Sequence, residues 1–379
     1  MATYLVLKGF VRAQFMQTFS TGQNHSLFIT TQNHSVIGCG CNTDSVLGIQ
    51  KGSTLPVPVV LPFPEGMASV SAGISSSLCL DFDGNVWAIG TSHFGEIGTP
   101  GSVITQAQML ENLPAIKSVN AGPDHSTVLL DYQGYVWVSG RNDSGQLGLN
   151  HVKNQVSPCR LEHTPKIKSI SSGISHTLLL TEDGQVWGFG YNTKGQLGSR
   201  PQFSPTIPAP ITLPITMAQV SAGPEHSLFL DHSGHVWSCG SNYNEELGTT
   251  ETINYTRKPE KIFRNGLPEV VTISAGFRKS TFIDLDGNVW ACGRGAGNFA
   301  TAIPRQFPGL SNIVHVSASA PHSLFLDENA SMWVTGENTH GQLGIGETPK
   351  SVSGAVLNTN LPPIAFPQLG VTTKSSRSC

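Results

Sequence analysis

Residues 220–248 read VSAGPEHSLFLDHSGHVWSCGSNYNEELG, and residues 170–198 repeat the pattern as ISSGISHTLLLTEDGQVWGFGYNTKGQLG. The shared unit is approximately [VI]-S-A-G-x-x-H-S-L-x-L-D-x-x-G-x-V-W-x-x-G-x-N-x-x-G-Q-L-G. Its tryptophan stands at 87, 137, 187, 237, 290 and 333, in steps of 50, 50, 50, 53 and 43 residues. A further copy, FSTGQNHSLFITTQNHSVIGCGCNTDSVLG at 19–48, carries Ile37 in the tryptophan place. Seven copies account for nearly all 379 positions. A fixed period of this length means one closed or stacked array, not a string of separate domains.

Within each unit, runs such as HSLFLD and GHVWSCG are two strands joined by a tight turn. The turns are Asp83-Gly84, Asp183-Gly184, Ser233-Gly234 and Asp286-Gly287, pairs that supply the positive φ a hairpin needs. Side chains alternate along a strand, so Trp237 and Cys239 share one face and Val236 and Ser238 the other. Both faces are uncharged. The residue after the tryptophan position is small in Gly38, Ala88, Gly188, Ser238 and Ala291, so an indole can nest against the thin face of a neighbouring sheet. A solenoid needs polar caps at its ends, whereas a ring needs none. The expectation is an all-β chain: a ring of radial blades over 19–348, closed by segments 1–18 and 349–370, with a polar tail at 371–379. The closing segments are identified by likeness to the inter-unit links, as in NLPPIAF (360–366) beside NLPAIKS (112–118).

Charged residues are only 12% of the chain, while Gly (41) and Pro (24) are plentiful, as many short strands and turns require. A net charge of −3 offers no long-range field for nucleic acid or an anionic membrane. No run approaches the ~18 apolar residues of a membrane span. Cys39, Cys239 and Cys292 recur as core fillers in one slot, which argues for a reducing compartment. The protein is expected in the cytoplasm, with the nucleus open to it, and as a monomer.

As a set, VSAG, HSL, DG-x-VW and N-x-x-GQLG at this period resemble the regulator-of-chromosome-condensation propeller family, over about residues 19–348. The resemblance implies a seven-bladed β-propeller. Fold does not settle function, since the family includes exchange factors for the small GTPase Ran, a plant photoreceptor, a β-lactamase inhibitor and scaffolds. The photoreceptor branch is set aside, because all six tryptophans here are consumed by the strand position.

In the family's exchange factor, acidic and histidine side chains of the G-x-x-H loops touch the GTPase beside an inserted wedge. Carried onto this chain, the resemblance implies contacts from Asp124 and His125 of the G-x-D-H loop, and from His25, His176, Glu225, His226 and His322. The wedge would fall after GEIG (95–98), with Glu96, Ile97, Thr99 and Pro100 as its candidates. Two departures stand out. The second loop has Ser75 and Ser76 where that factor has an acid and a histidine, and a step of 50 leaves no room for a large inserted hairpin.

The plainer reading of five repeated histidines is that each anchors a turn by bonding neighbouring backbone. Asp124 and Glu225 occur once each and are not demanded by the repeat. His232 and His235 flank a hairpin glycine without further metal ligands. GRGAGN (293–298) lacks the Lys-Ser/Thr of a phosphate loop, and ETINYTRKPEKIFRNG (251–266) reads as a solvated rim loop. No nucleophile elbow, paired-carboxylate set, cofactor motif or metal motif is found. The expected function is a protein-interaction propeller that binds a Ran-like GTPase and acts as its exchange factor, without covalent chemistry. A scaffold or inhibitor without exchange activity is the alternative. A strand pair projecting from 95–108 would mark the first, and a segment lying flat in its blade the second.

Overall fold

Each repeat forms an antiparallel four-stranded sheet whose strands follow in chain order, and seven such sheets make a seven-bladed β-propeller. The computed structural model describes residues 17–49, 52–198, 204–249, 253–262, 266–294, 301–318 and 321–366. The blades span 19–60, 67–109, 116–160, 167–210, 217–261, 270–306 and 313–357. Among the described residues all regular structure is strand.

The hairpin between the second and third strands is tied by one carboxylate. In blade 3, Asp131 Oδ1 accepts the N–H groups of Gln133 and Tyr135, both at 2.9 Å. Its Oδ2 accepts the indole N–H of Trp137 at 3.0 Å, while Gly134 takes the left-handed φ of 84° that closes the turn. Asp81, Asp231, Asp284 and Asp327 hold Trp87, Trp237, Trp290 and Trp333 in the same way. The Asp to Trp spacing of the repeat is therefore a turn-and-indole clamp.

The hydrophobic core is divided among the seams between blades. Trp137 packs with Ile116, Val119 and Leu129 of its own blade and with Leu78, Leu80, Ala88 and Ile97 of the preceding one. The same arrangement places Trp237 against Leu178, Leu180 and Leu197. The small residue after the indole has a local cause as well: a Cβ on Gly188 would come within 2.8 Å of Leu197 and 3.0 Å of Ile211.

Two further devices hold the ring. Around the central channel, innermost-strand serines accept a backbone N–H from the next blade, as in Ala121 N to Ser71 Oγ and Ala275 N to Ser221 Oγ, both 2.9 Å. The ladder breaks between blades 3 and 4, where Asn120 replaces the serine and Asn120 Oδ1 and Ser172 Oγ have no partner. Closure is made by the chain's far end. Ile364 pairs antiparallel with Thr30, Thr31 N donates to Pro363 O at 3.1 Å and Ala365 N to Ile29 O at 2.9 Å. In register, Ile364 stands where Met67, Ile116, Ile167, Met217, Val270 and Ile313 stand in the other blades. Blade 1 thus takes its innermost strand from both ends of the chain.

Two expectations need correction. Ser351–Leu357 is the outermost strand of blade 7, so the blade extends past 348 and the closing contact begins only at Pro363. Within the rim segment 251–266, Tyr255–Lys261 is a strand; it reads as a loop in sequence because an outermost strand faces solvent and is correspondingly charged. The expected closing strand over 4–16, the tail 371–379 and residues 295–298 of GRGAGN lie outside the described residues.

Candidate partner-binding face

One face of the ring carries the loops joining first to second strands, each a G-x-x-H motif or its variant. Four of the histidines work inside the fold. His25, His176, His226 and His322 place Nε2 3.1, 3.0, 2.9 and 2.7 Å from the hydroxyls of Ser77, Ser227, Ser280 and Ser26, each on the next blade. Each hydroxyl donates its single proton to a carbonyl, as Ser227 does to Gln196 O at 2.6 Å. The imidazole must therefore be the donor, through its Nε2–H. Burial pushes His25 down to about 4 and His176 and His226 down to about 3, so all three are neutral. The glycine of the motif has the matching cause: a Cβ on Gly173 or Gly223 would lie 2.5 Å from the imidazole Cε1. With 0–1% of their surface exposed, these four histidines have nothing to present to a partner. As contact candidates they are corrected to seam latches.

Blade 3 departs from the pattern by one residue. Ser126, not His125, pairs with Gly140 as His176 pairs with Gly190. Ser126 therefore fills the latch slot, and the loop holds one extra residue. His125 stands where Ser175 stands in blade 4, its carbonyl accepting Arg141 N as Ser175 O accepts Tyr191 N, with φ 67°. In blade 2 the slot is filled by Ser76, opposite Gly90.

Two acids lie beside these two slots. Asp124, 3% exposed, accepts Ser126 Oγ at 2.6 Å and Gln146 Nε2 at 2.8 Å. Burial outweighs these bonds and lifts its carboxyl to about 6. Glu96 is fully buried; Phe94 N donates to its Oε2 at 2.7 Å, and Ser75 Oγ and His93 N donate to its Oε1, both at 3.1 Å. Burial raises this carboxyl, but bonding to His125 and to the Phe94 and His93 amides prevails, leaving it below the usual range. His125 Nδ1 lies 2.8 Å from Ser75 Oγ and 3.3 Å from Glu96 Oε1. Above this pair sit His93 and Phe94, with ring centroids 4.9 and 5.3 Å from His125. Arg141 reaches over Phe94 and pairs with Asp143 at 2.6 Å.

The wedge candidates do not project. Ile97 is a core residue at 1% exposure and Glu96 belongs to the acidic pair. Thr99 and Pro100 are exposed in a short turn closed by Ser102 N to Thr99 O at 3.1 Å. Val103–Met109 then lies in blade 2 as its outermost strand, Ile104 opposite Gly90 and Met109 opposite Trp87. The even step of 50 leaves only enough chain for that strand and its turn.

The sequence profile of the RCC1-like domain matches residues 99–363. The chain belongs to the RCC1-like domain family. Among solved structures, Prp20p of Saccharomyces cerevisiae superposes with a TM-score of 0.77 at 18% identity, over 93% of this chain and 89% of that one. Human WBSCR16 gives 0.76 at 18% identity, over 89% and 94%. The ectodomain of the receptor kinase CR4 of Physcomitrella patens gives 0.53 at 14%, over 85% and 73%. At these identities the likeness is one of fold.

In this RCC1-like propeller, residue reading located Asp124 and Glu96 but missed that Ser75, His93, Phe94 and Arg141 join them. Their signal lay in absence, since Ser75 and Ser76 replace the usual motif and leave room beside Glu96. Glu225 is exposed on blade 5, away from this cluster. Among the described residues no group of three or more His, Cys, Asp or Glu is placed to share a metal ion, and no helix is long and apolar enough to cross a membrane.

Proposed function

We propose that this RCC1-like propeller docks a protein partner, a small GTPase of the Ran type, on its loop face, centred on His125 and the acids beneath it. One observation carries the reading: the fold gives up two seam latches here and buries an acid, Asp124, in a loop between first and second strands, where the loops of the other blades hold no buried acid. Groups that cost stability without a structural return mark functional sites. The partner class rests on family membership and on Prp20p, which was studied for its binding to Gsp1p and histones.

Within this reading, 95–108 lying flat in blade 2 favours docking without nucleotide release, the scaffold alternative. Exchange is the second reading; it would use the 122–126 loop and the Thr99–Pro100 turn in place of a wedge, competing with the nucleotide phosphates for cationic and metal contacts. The test is binding and labelled-GDP release across a panel of small GTPases, with intact protein and Asp124→Ala. Binding that weakens in the variant without faster release supports docking. Accelerated release establishes exchange, and absence of binding to every GTPase overturns both.

A further inference from the structure

The loop of blade 6 reads Gly276-Phe277-Arg278-Lys279, and the latch network leaves Arg278 unused. Lys279 fills the latch slot opposite Gly293, with Nζ donating to His322 O at 3.1 Å. Arg278, one residue earlier, is exposed. The corresponding residues elsewhere are Asn24, Ser75, Ser175, Glu225 and Pro321, with His125 in the lengthened loop, so the repeat does not ask for a cation there. Its guanidinium stands 4.8 Å over the Phe277 ring. Its backbone is held at φ 60°, a conformation costly for a residue with a Cβ. Among the described residues it makes no ion pair, while its neighbour Arg294 is matched by Glu245 at 2.8 Å.

Arg278 lines a depression of about 440 Å³ together with Tyr191, Phe277, Pro224, Ser175 and Asn244, drawn mainly from blades 4, 5 and 6. Beyond it Lys194 stands 4.7 Å over the exposed ring of Tyr243. Rigid aromatic rings beside a pre-positioned arginine are the composition of interface anchor points, and a stacked guanidinium keeps its donors free for a carboxylate. Glu225 also lines the depression, and its charge acts on Lys194. Glu246 below it is buried, its carboxyl pushed up by that burial.

We propose that this corner is a second docking site, receiving an extended, acidic segment of a protein partner, with a carboxylate on Arg278 and its chain laid across Tyr191 and Phe277. The proposal rests on the reading of this face as a protein-docking surface. It also gives that surface a direction: acids under blades 2 and 3, an unmatched cation on blade 6.

The test uses the full chain and a short fluorescein-labelled peptide of alternating Glu and Gly, with a Lys-Gly peptide, a single-stranded oligonucleotide and inorganic phosphate as comparisons. The Glu peptide is expected to bind at low salt in preference to the Lys peptide, and Arg278→Glu to weaken it at least tenfold. Arg278→Gly separates the site from the fold: at φ 60° glycine removes backbone strain, so the melting temperature holds or rises while binding falls by the same factor. Equal binding by either variant, or no preference for the Glu peptide, overturns the proposal. Displacement by oligonucleotide or phosphate at matched concentration overturns the assignment to a peptide. GTPase binding measured on Asp124→Ala reports on the other arc, so failure there with peptide binding intact removes the GTPase reading alone.

Discussion

His226 Nε2 lies 2.9 Å from Ser280 Oγ across the seam between blades 5 and 6, and the same hydroxyl lies 2.6 Å from Glu246 O. One buried hydrogen-bond chain thus joins a loop, a strand and the next blade. Ser280→Ala leaves the buried His226 Nε2–H without a partner and Glu246 O with only the weak bond from the Cys292 thiol, and is expected to cost about 1–3 kcal/mol. His226→Ala and the double variant complete a cycle with a coupling of about 1 kcal/mol, read from urea unfolding. Strictly additive costs would show that the contact is incidental.

Acid should open the ring through these imidazoles. His25 sits at about 4, and His176 and His226 at about 3, against 6.5 in the unfolded chain. Between those limits the unfolded state binds protons that the folded state refuses. Their contribution is therefore complete above 6.5 and is lost as pH falls from there toward 4 and 3. Urea midpoints should drop steeply between pH 6.5 and 4, and His176→Gln should flatten that slope. Lys279, lowered to about 7 from 10.5, acts in the same sense at higher pH: its contribution is complete above 10.5 and lost as pH falls to 7.

Asp124 has the opposite sign. Its carboxyl is held at about 6, above the unfolded 3.8, so the folded state keeps a proton that the unfolded state releases. Stability is full below 3.8 and is lost as pH rises through 6, at a cost on the order of 3 kcal/mol by pH 7. Asp124→Asn should unfold at higher urea than the parent at pH 7 and match it near pH 3.5, while binding partner less well. A variant less stable at both values would remove the claim that function, not fold, keeps this acid.

Blade 4 carries Thr181 where five other blades carry the clamping aspartate, and Trp187 Nε1 is buried without a partner. Thr181→Asp should supply the missing acceptor and stabilise by about 1 kcal/mol. Blade 2 already accommodates Asp81 and Asp83 together, so the added charge has a precedent. The check is a higher midpoint of thermal unfolding, with no gain when Trp187 is replaced by Phe.

What repeats from blade to blade is legible in sequence, because the same physical demand recurs. The Asp, Gly and Trp of the hairpin fix the turn and the indole, and Leu361-Pro362-Pro363-Ile364 announces its role by likeness to Leu113-Pro114-Ala115-Ile116. The site was read less well, because a string can match while its register slips. Pro123-Asp124-His125 satisfies G-x-x-H, yet backbone pairing selects Ser126. Counting from the other end reveals it: His226 precedes Asp231 by five residues, and His125 precedes Asp131 by six. Burial of the remaining histidines depends on the next blade, which no single repeat contains.

The seating of Ile364 beside Thr30 also orders events during synthesis. Blade 1 is translated before the other six, yet its innermost strand is completed only by residues 363–365, which follow blade 7. Until then the innermost strand of blade 1 is open beside Ile29 and Thr30, and closing it is a contact of long sequence separation, a slow kind to form. The nascent ring is therefore most exposed to chaperones and proteases at its oldest part.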